Sequence, residues 1–144
     1  SRRQRQMCIR DRSGTKPIQG VLEYTDRITD QKGLWIKDTP GREPEILTGM
    51  AATGAQVLLF STGRGTPFGA PAPTLKVFTN QRLCDHKANW MDFNAGVIAT
   101  GERTLDEAAR DLYQLVLQTA SGKLTSAERR GCHEISIWKD GVCL

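Results

Sequence analysis

Residues 55–60, AQVLLF, constrain the fold most. Val57, Leu58, Leu59 and Phe60 are consecutive apolar residues, and the run is followed at once by the polar, glycine-rich stretch STGRGTPFG. An uninterrupted apolar run of strand length fits a strand buried on both faces of a parallel sheet. Such a strand needs parallel neighbours, and parallel neighbours need crossover connections. The flanking patterns supply them. GLWIKD, residues 33–38, carries Leu34-Trp35-Ile36 between turn residues and reads as a buried strand, with a shorter extended piece at residues 21–24. Pro44 suits the first turn of a helix reaching about Gly54, which would bury Ile46, Leu47, Met50 and Ala51. The link from Ile36 to Val57 is then long enough for a right-handed βαβ crossover.

Residues 73–80, PTLKVFTN, read as another strand, and Asn80 is placed to cap a short helix through Ala88. Residues 91–102 look irregular. Thr104 and Glu107 form a T-x-x-E capping box that opens a helix with Leu105, Ala108, Ala109, Leu112, Leu115 and Val116 on one stripe. Gly122 stops it. Thr125 and Glu128 form a second capping box, and EISIW, residues 134–138, reads as a final strand. The order is α/β: a single domain with a mostly parallel sheet and flanking helices.

The net charge of +4 is local. Residues 1–12, SRRQRQMCIRDR, hold five arginines and one acid, whereas the remaining 132 residues hold 15 basic and 15 acidic side chains. A basic arm on a neutral body does not make a nucleic-acid surface, so no nucleic-acid partner is expected. QMCIRDR also resembles translated sequencing-adaptor DNA, and residues 1–12 are read as a non-native or disordered extension of a domain over 13–144. No apolar run approaches the ~20 residues of a membrane span. No apolar signal segment follows the basic start, so the expected compartment is the cytoplasm. The four cysteines form no C-x2-C pair, and the two histidines have no metal-ligand spacing.

In open α/β sheets ligands gather outside the carboxyl ends of the strands. Three polar segments would occupy that edge: residues 38–41, residues 61–69, and Thr79-Asn80. The glycine-rich loop lacks the lysine of a nucleotide P-loop, and its glycines miss the G-x-G-x-x-G spacing. Gly63 and Gly65 let a ligand approach the backbone, and Arg64 offers a fork for a carboxylate or phosphate. The alternative is a plain turn with Arg64 paired on the surface. Asp92 and Asn94 could face one way and bind a metal, a hydroxyl or a water, or form a self-capping turn. Lys76 is either the solvent side of an edge strand or a buried cation aimed at an acid. Asp38 could be a base or only the start of a turn. His133-Glu134, an acid–base pair on paper, is more often structural.

Taken together, GLWIKDTPGREPEILTGMAATGAQVLLFSTGRGTPFG, APTLKVFTN, MDFNAG, ASGKLTSAE and EISIW resemble, in order, the carboxyl-terminal portion of the altronate and galactarate dehydratases. The resemblance runs from about Ser13 to Leu144. It implies a hydro-lyase that removes water from a sugar acid to give a 2-keto-3-deoxy acid, with Fe2+ as the implied cofactor and no ligand set evident here. The alternative is a non-catalytic domain that binds acidic sugars or supports oligomerisation. Carried onto matching positions, Lys76 and Asp92 are the catalytic candidates. Thr62, Gly63, Arg64, Gly65, Thr79, Asn80 and Asn94 are the substrate-binding candidates. The expected partners are a small sugar acid and the amino-terminal portion of the same enzyme, which full-length members carry. Copies of the chain could also form a homo-oligomer. The chain is expected to be a fragment, inactive by itself.

Overall fold

The computed structural model describes residues 14–28 and 32–139. The extension read at residues 1–12 lies outside them. Two parallel sheets organise the described residues. The first pairs β1 (Ile18–Leu22) with β2 (Leu34–Lys37). The second has the order β3 (Leu58–Thr62), β4 (Thr74–Phe78), β5 (Phe93–Asn94). Helix α1 (Glu43–Thr53) connects the sheets. The expected βαβ crossover therefore does not join neighbours of one sheet, because β2 pairs with β1 and β3 pairs with β4.

Helix α1 starts with Pro44 in its first turn and stops at Gly54, whose φ of 109° is left-handed. Its buried face differs from the expected one. Glu45, Leu47, Gly49 and Thr53 are inside, and Met50 is exposed. The cause is Tyr24, whose ring lies against Gly49 and whose hydroxyl donates to the Glu45 carbonyl at 2.7 Å. Leu47 joins Leu58 and Ala70 in the core, with Phe60 packed beside them.

The second sheet carries the polar edge. β4 is its middle strand and all five of its residues are buried. β3 is an edge strand instead, with alternating burial, and Leu59 is 50% exposed. The expectation of burial on both faces thus belongs to β4. The connection from β3 to β4, residues 63–73, contains no helix and returns as an extended loop. Along it Thr66 and Ala70 are buried.

Helix α2 (Gln81–His86) and a 3-10 turn (Ala88–Trp90) lead to β5. The segment read as irregular contains both β5 and the short helix α3 (Gly96–Ala99). Helix α4 (Leu105–Ala120) and the short α5 (Ser126–Arg129) each begin with the expected capping box. On α4 only Ala108 and Thr119 are buried, and Leu105 is 68% exposed. Among the described residues no helix is long and apolar enough to cross a membrane.

EISIW is not a strand. Residues 132–139 run over the surface as a coil, with Ile137 85% exposed. They are held by single contacts. The Glu134 carboxylate accepts from the Gly69 amide at 2.7 Å, Ser136 N donates to Thr48 Oγ1 at 3.1 Å, and the Trp138 ring packs tilted against Tyr24 with ring centres 5.1 Å apart.

Candidate functional site

Because β3, β4 and β5 are parallel, their carboxyl ends share one edge. The register pairs Thr62 with Phe78 and Phe78 with Asn94. This brings Thr62, Gly63, Arg64, Gly65, Thr79, Asn80 and Asn94 to one end of the sheet. Residues 38–41 follow β2 and so belong to the other sheet. Asn94 reaches the edge through β5, a two-residue strand that the sequence pattern does not announce.

The loop after β3 is organised from inside. Thr62 Oγ1 accepts from the amides of Arg64 at 3.3 Å and Gly65 at 3.2 Å. Gly65 has φ 74°, and a Cβ there would collide with the Phe78 ring. The turn is thereby locked over β4, and the Arg64 side chain projects from it exposed. It makes no hydrogen bond or ion pair among the described residues. Thr79 donates its amide to the Thr62 carbonyl at 3.3 Å, and the residue is exposed. Asn80 sits at the N-cap of α2 with its side chain uncommitted to the helix. Asn94 is used locally: its amide donates to Gln81 at 2.7 Å and its oxygen accepts from Gly96 N at 2.9 Å.

Lys76 lies two residues before the end of β4 and is 0% exposed. Of its two expected settings, the buried cation is the one found. Its Nζ has no hydrogen-bond partner among the described residues and rests 4.6 Å from the centre of the Phe60 ring, its register neighbour on β3. Burial lowers its pKa from 10.5 to about 8, against the opposing pull of Glu43, Asp92 and Glu134. A buried ammonium without a close anion is costly, and such groups concentrate at functional sites.

Asp92 is the organiser beside it. One carboxylate oxygen accepts from Lys76 N at 2.8 Å, and the other from Ser126 N at 2.6 Å. Asp92 N returns a bond to the Lys76 carbonyl at 3.0 Å. The Ser126 hydroxyl donates to the Met91 carbonyl at 2.6 Å. MDFNAG and LTSAE are therefore one unit, with the first turn of α5 docked on the β4–β5 connection. Sequence reasoning did not place Ser126 near the site. The second capping box could have drawn attention to Ser126, but its partner is 34 residues away.

The implied iron has no home among these residues. No three His, Cys, Asp or Glu side chains come together among the described residues as a metal centre requires. The described residues do not fit such a centre, and the chemistry below is derived without it.

Comparison with known proteins decides the lineage. The family described as D-galactarate/Altronate dehydratase, C-terminal, matches residues 5–143. The chain belongs to that family. It is 38% identical over 133 residues to the altronate dehydratase of Bacillus subtilis, covering 92% of this chain and 27% of that protein. It is 40% identical over 124 residues to the L-threo-forming galactarate dehydratase of Escherichia coli, covering 85% of this chain and 24% of that protein. A third relative is the (2R)-sulfolactate sulfo-lyase subunit beta of Chromohalobacter salexigens, at 32% identity, with 83% of this chain and 31% of that protein covered. The chain thus spans about a quarter of the length of the curated dehydratases it matches.

Proposed function

We propose that this chain supplies the carboxyl-terminal part of a hydro-lyase acting on a sugar acid, altronate or galactarate, and forms one wall of its site. The observation that carries the reading is the buried, unpartnered Lys76 just below a polar strand edge that presents the free Arg64 fork. Dehydration of a sugar acid begins with loss of the proton beside the carboxylate. The hydroxyl on the next carbon then leaves, and the enol relaxes to a 2-keto-3-deoxy acid. The intermediate gathers negative charge on the carboxylate, which fixed cations stabilise.

Arg64 binds that carboxylate in a bidentate fork. Thr79 and Asn80 contact hydroxyls from the neighbouring strand end, and Thr62, Gly63, Gly65 and Asn94 shape the edge. Lys76 provides a positive charge in a low-dielectric position, and with a pKa of about 8 it can also release or accept a proton near neutral pH. Asp92 positions Lys76 by gripping its backbone. The remaining acid–base groups, and any iron ligands, would come from polypeptide beyond this chain.

The test joins this chain to the upstream polypeptide of the Bacillus subtilis enzyme and assays altronate and galactarate. Arg64→Ala should lower kcat/KM by on the order of 2–4 kcal/mol in activation free energy, as for a lost charge-stabilising donor. Thermal stability should hold, because the side chain is exposed and unpartnered. Unchanged turnover would refute the role. The isolated chain should turn over neither acid. If acidic sugars stabilise the joined protein but no product forms, a binding domain is the better description.

A further inference from the structure

Among the described residues the first sheet has two strands. Two-stranded sheets are marginal in water, and parallel strands are ordinarily covered on both faces. Here β1 and β2 pair with each other alone among the described residues, so each has an open edge. Val21 of β1 is 66% exposed and Ile18 41%. A groove of about 480 Å³ lies beside β2, lined by Leu22, Leu34, Trp35, Met50, Thr53 and Ala55 among others. Leu34 and Trp35 are consecutive and so point to opposite faces of the strand. The groove therefore takes in both faces of β2 at its start, together with Leu22 of β1 and the end of α1.

We propose that the free edge of β2 is where the upstream part of an altronate-dehydratase-type polypeptide docks, adding a strand and seating an apolar side chain in this groove. Three observations choose that occupant. The groove is apolar, which fits a permanent intramolecular contact more than a transient partner. An unpaired edge offers backbone donors and acceptors that only another extended segment satisfies in series. The matched relatives carry the greater part of their length outside this region, so such a segment exists in each of them. The docking rests on family membership and on the sheet, and it stands whether or not the Arg64 role does.

Hydrogen–deuterium exchange tests it. The 144-residue chain is compared with the same chain joined to the upstream polypeptide of the Bacillus subtilis enzyme. Amides of Leu34–Lys37 should exchange at least tenfold more slowly in the joined protein, while those of α4 stay unchanged. Met50→Lys, in the groove and already 37% exposed, should reduce the added protection and leave the isolated chain folded. Equal β2 exchange in a joined protein whose β3–β4 amides are protected overturns the proposal. So does an isolated chain that sediments as a dimer with β2 already protected, since a second copy is then the occupant. If the joined protein does not fold, the full-length Bacillus enzyme and its own matched portion provide the same comparison, with the same deciding outcomes.

Discussion

Replacing Lys76 with methionine should make the protein more stable. Lys76 is fully buried, and its Nζ has no hydrogen-bond partner among the described residues. A pKa lowered from 10.5 to about 8 corresponds to about 3 kcal/mol by which the folded state disfavours the ammonium. Methionine has similar length and no charge. It gives up the contact of the cation with Phe60, worth ~0.5–1 kcal/mol, and regains much of that as a sulfur–aromatic contact. The expected net gain at pH 7 is about 2–3 kcal/mol, or roughly 6–10 °C in Tm for a chain this size. The sign of the pH dependence follows from the lowered pKa. Below about pH 8 both folded and unfolded Lys76 are charged, and the penalty is complete. Between about 8 and 10.5 the folded state gives up its proton while the unfolded state keeps it, so stability of the lysine protein climbs. The two proteins should therefore converge by about pH 10.5. Urea unfolding followed by tryptophan fluorescence at pH 7, 8, 9 and 10 measures this. If Lys76→Met is the less stable protein at pH 7 and the gap does not narrow with pH, the ammonium is paired and the reasoning fails. A stabilised variant that is also inactive in the joined enzyme would mark Lys76 as a residue kept for function at the expense of stability.

Asp92→Asn should lower stability by about 2–3 kcal/mol, read from the urea midpoint, because one amide oxygen cannot serve both Lys76 N and Ser126 N. Gly69→Ala should cost on the order of 2 kcal/mol, since its Cβ would collide with the Cys132 carbonyl oxygen. The displaced tail would show as faster exchange of the Ser136 amide, and a tail as protected as before would contradict this packing. Thr104→Ala and Thr125→Ala each remove a capping box. The buried Thr125 should lose about 2 kcal/mol and the exposed Thr104 closer to 1, measured by thermal unfolding.

Local signals were legible wherever the deciding atoms lie within a few residues of each other. The two capping boxes, the Gly54 stop and the polar loop after β3 are of this kind, because hydroxyl-to-amide bonds three residues apart and glycine's freedom at positive φ need no distant partner. The placement of Arg64, Thr79 and Asn80 at one sheet edge also followed from strand order, since parallel strands put their carboxyl ends together. What the pattern could not decide was which surfaces meet. EISIW has the alternation of a strand, but among the described residues no sheet edge takes it; the Ser136 amide is held by Thr48, and Ile135 and Ile137 are both exposed. The buried face of α1 was set by Tyr24 and Gly49, a contact made across the chain. Lys76 reads equally well as an exposed edge residue until β5 closes the far side of β4 and makes it central. Periodicity reports that a residue prefers burial or water. Only the tertiary arrangement brings Asp92 onto the backbone of Lys76 and the start of α5, because those bonds join groups 16 and 34 residues apart.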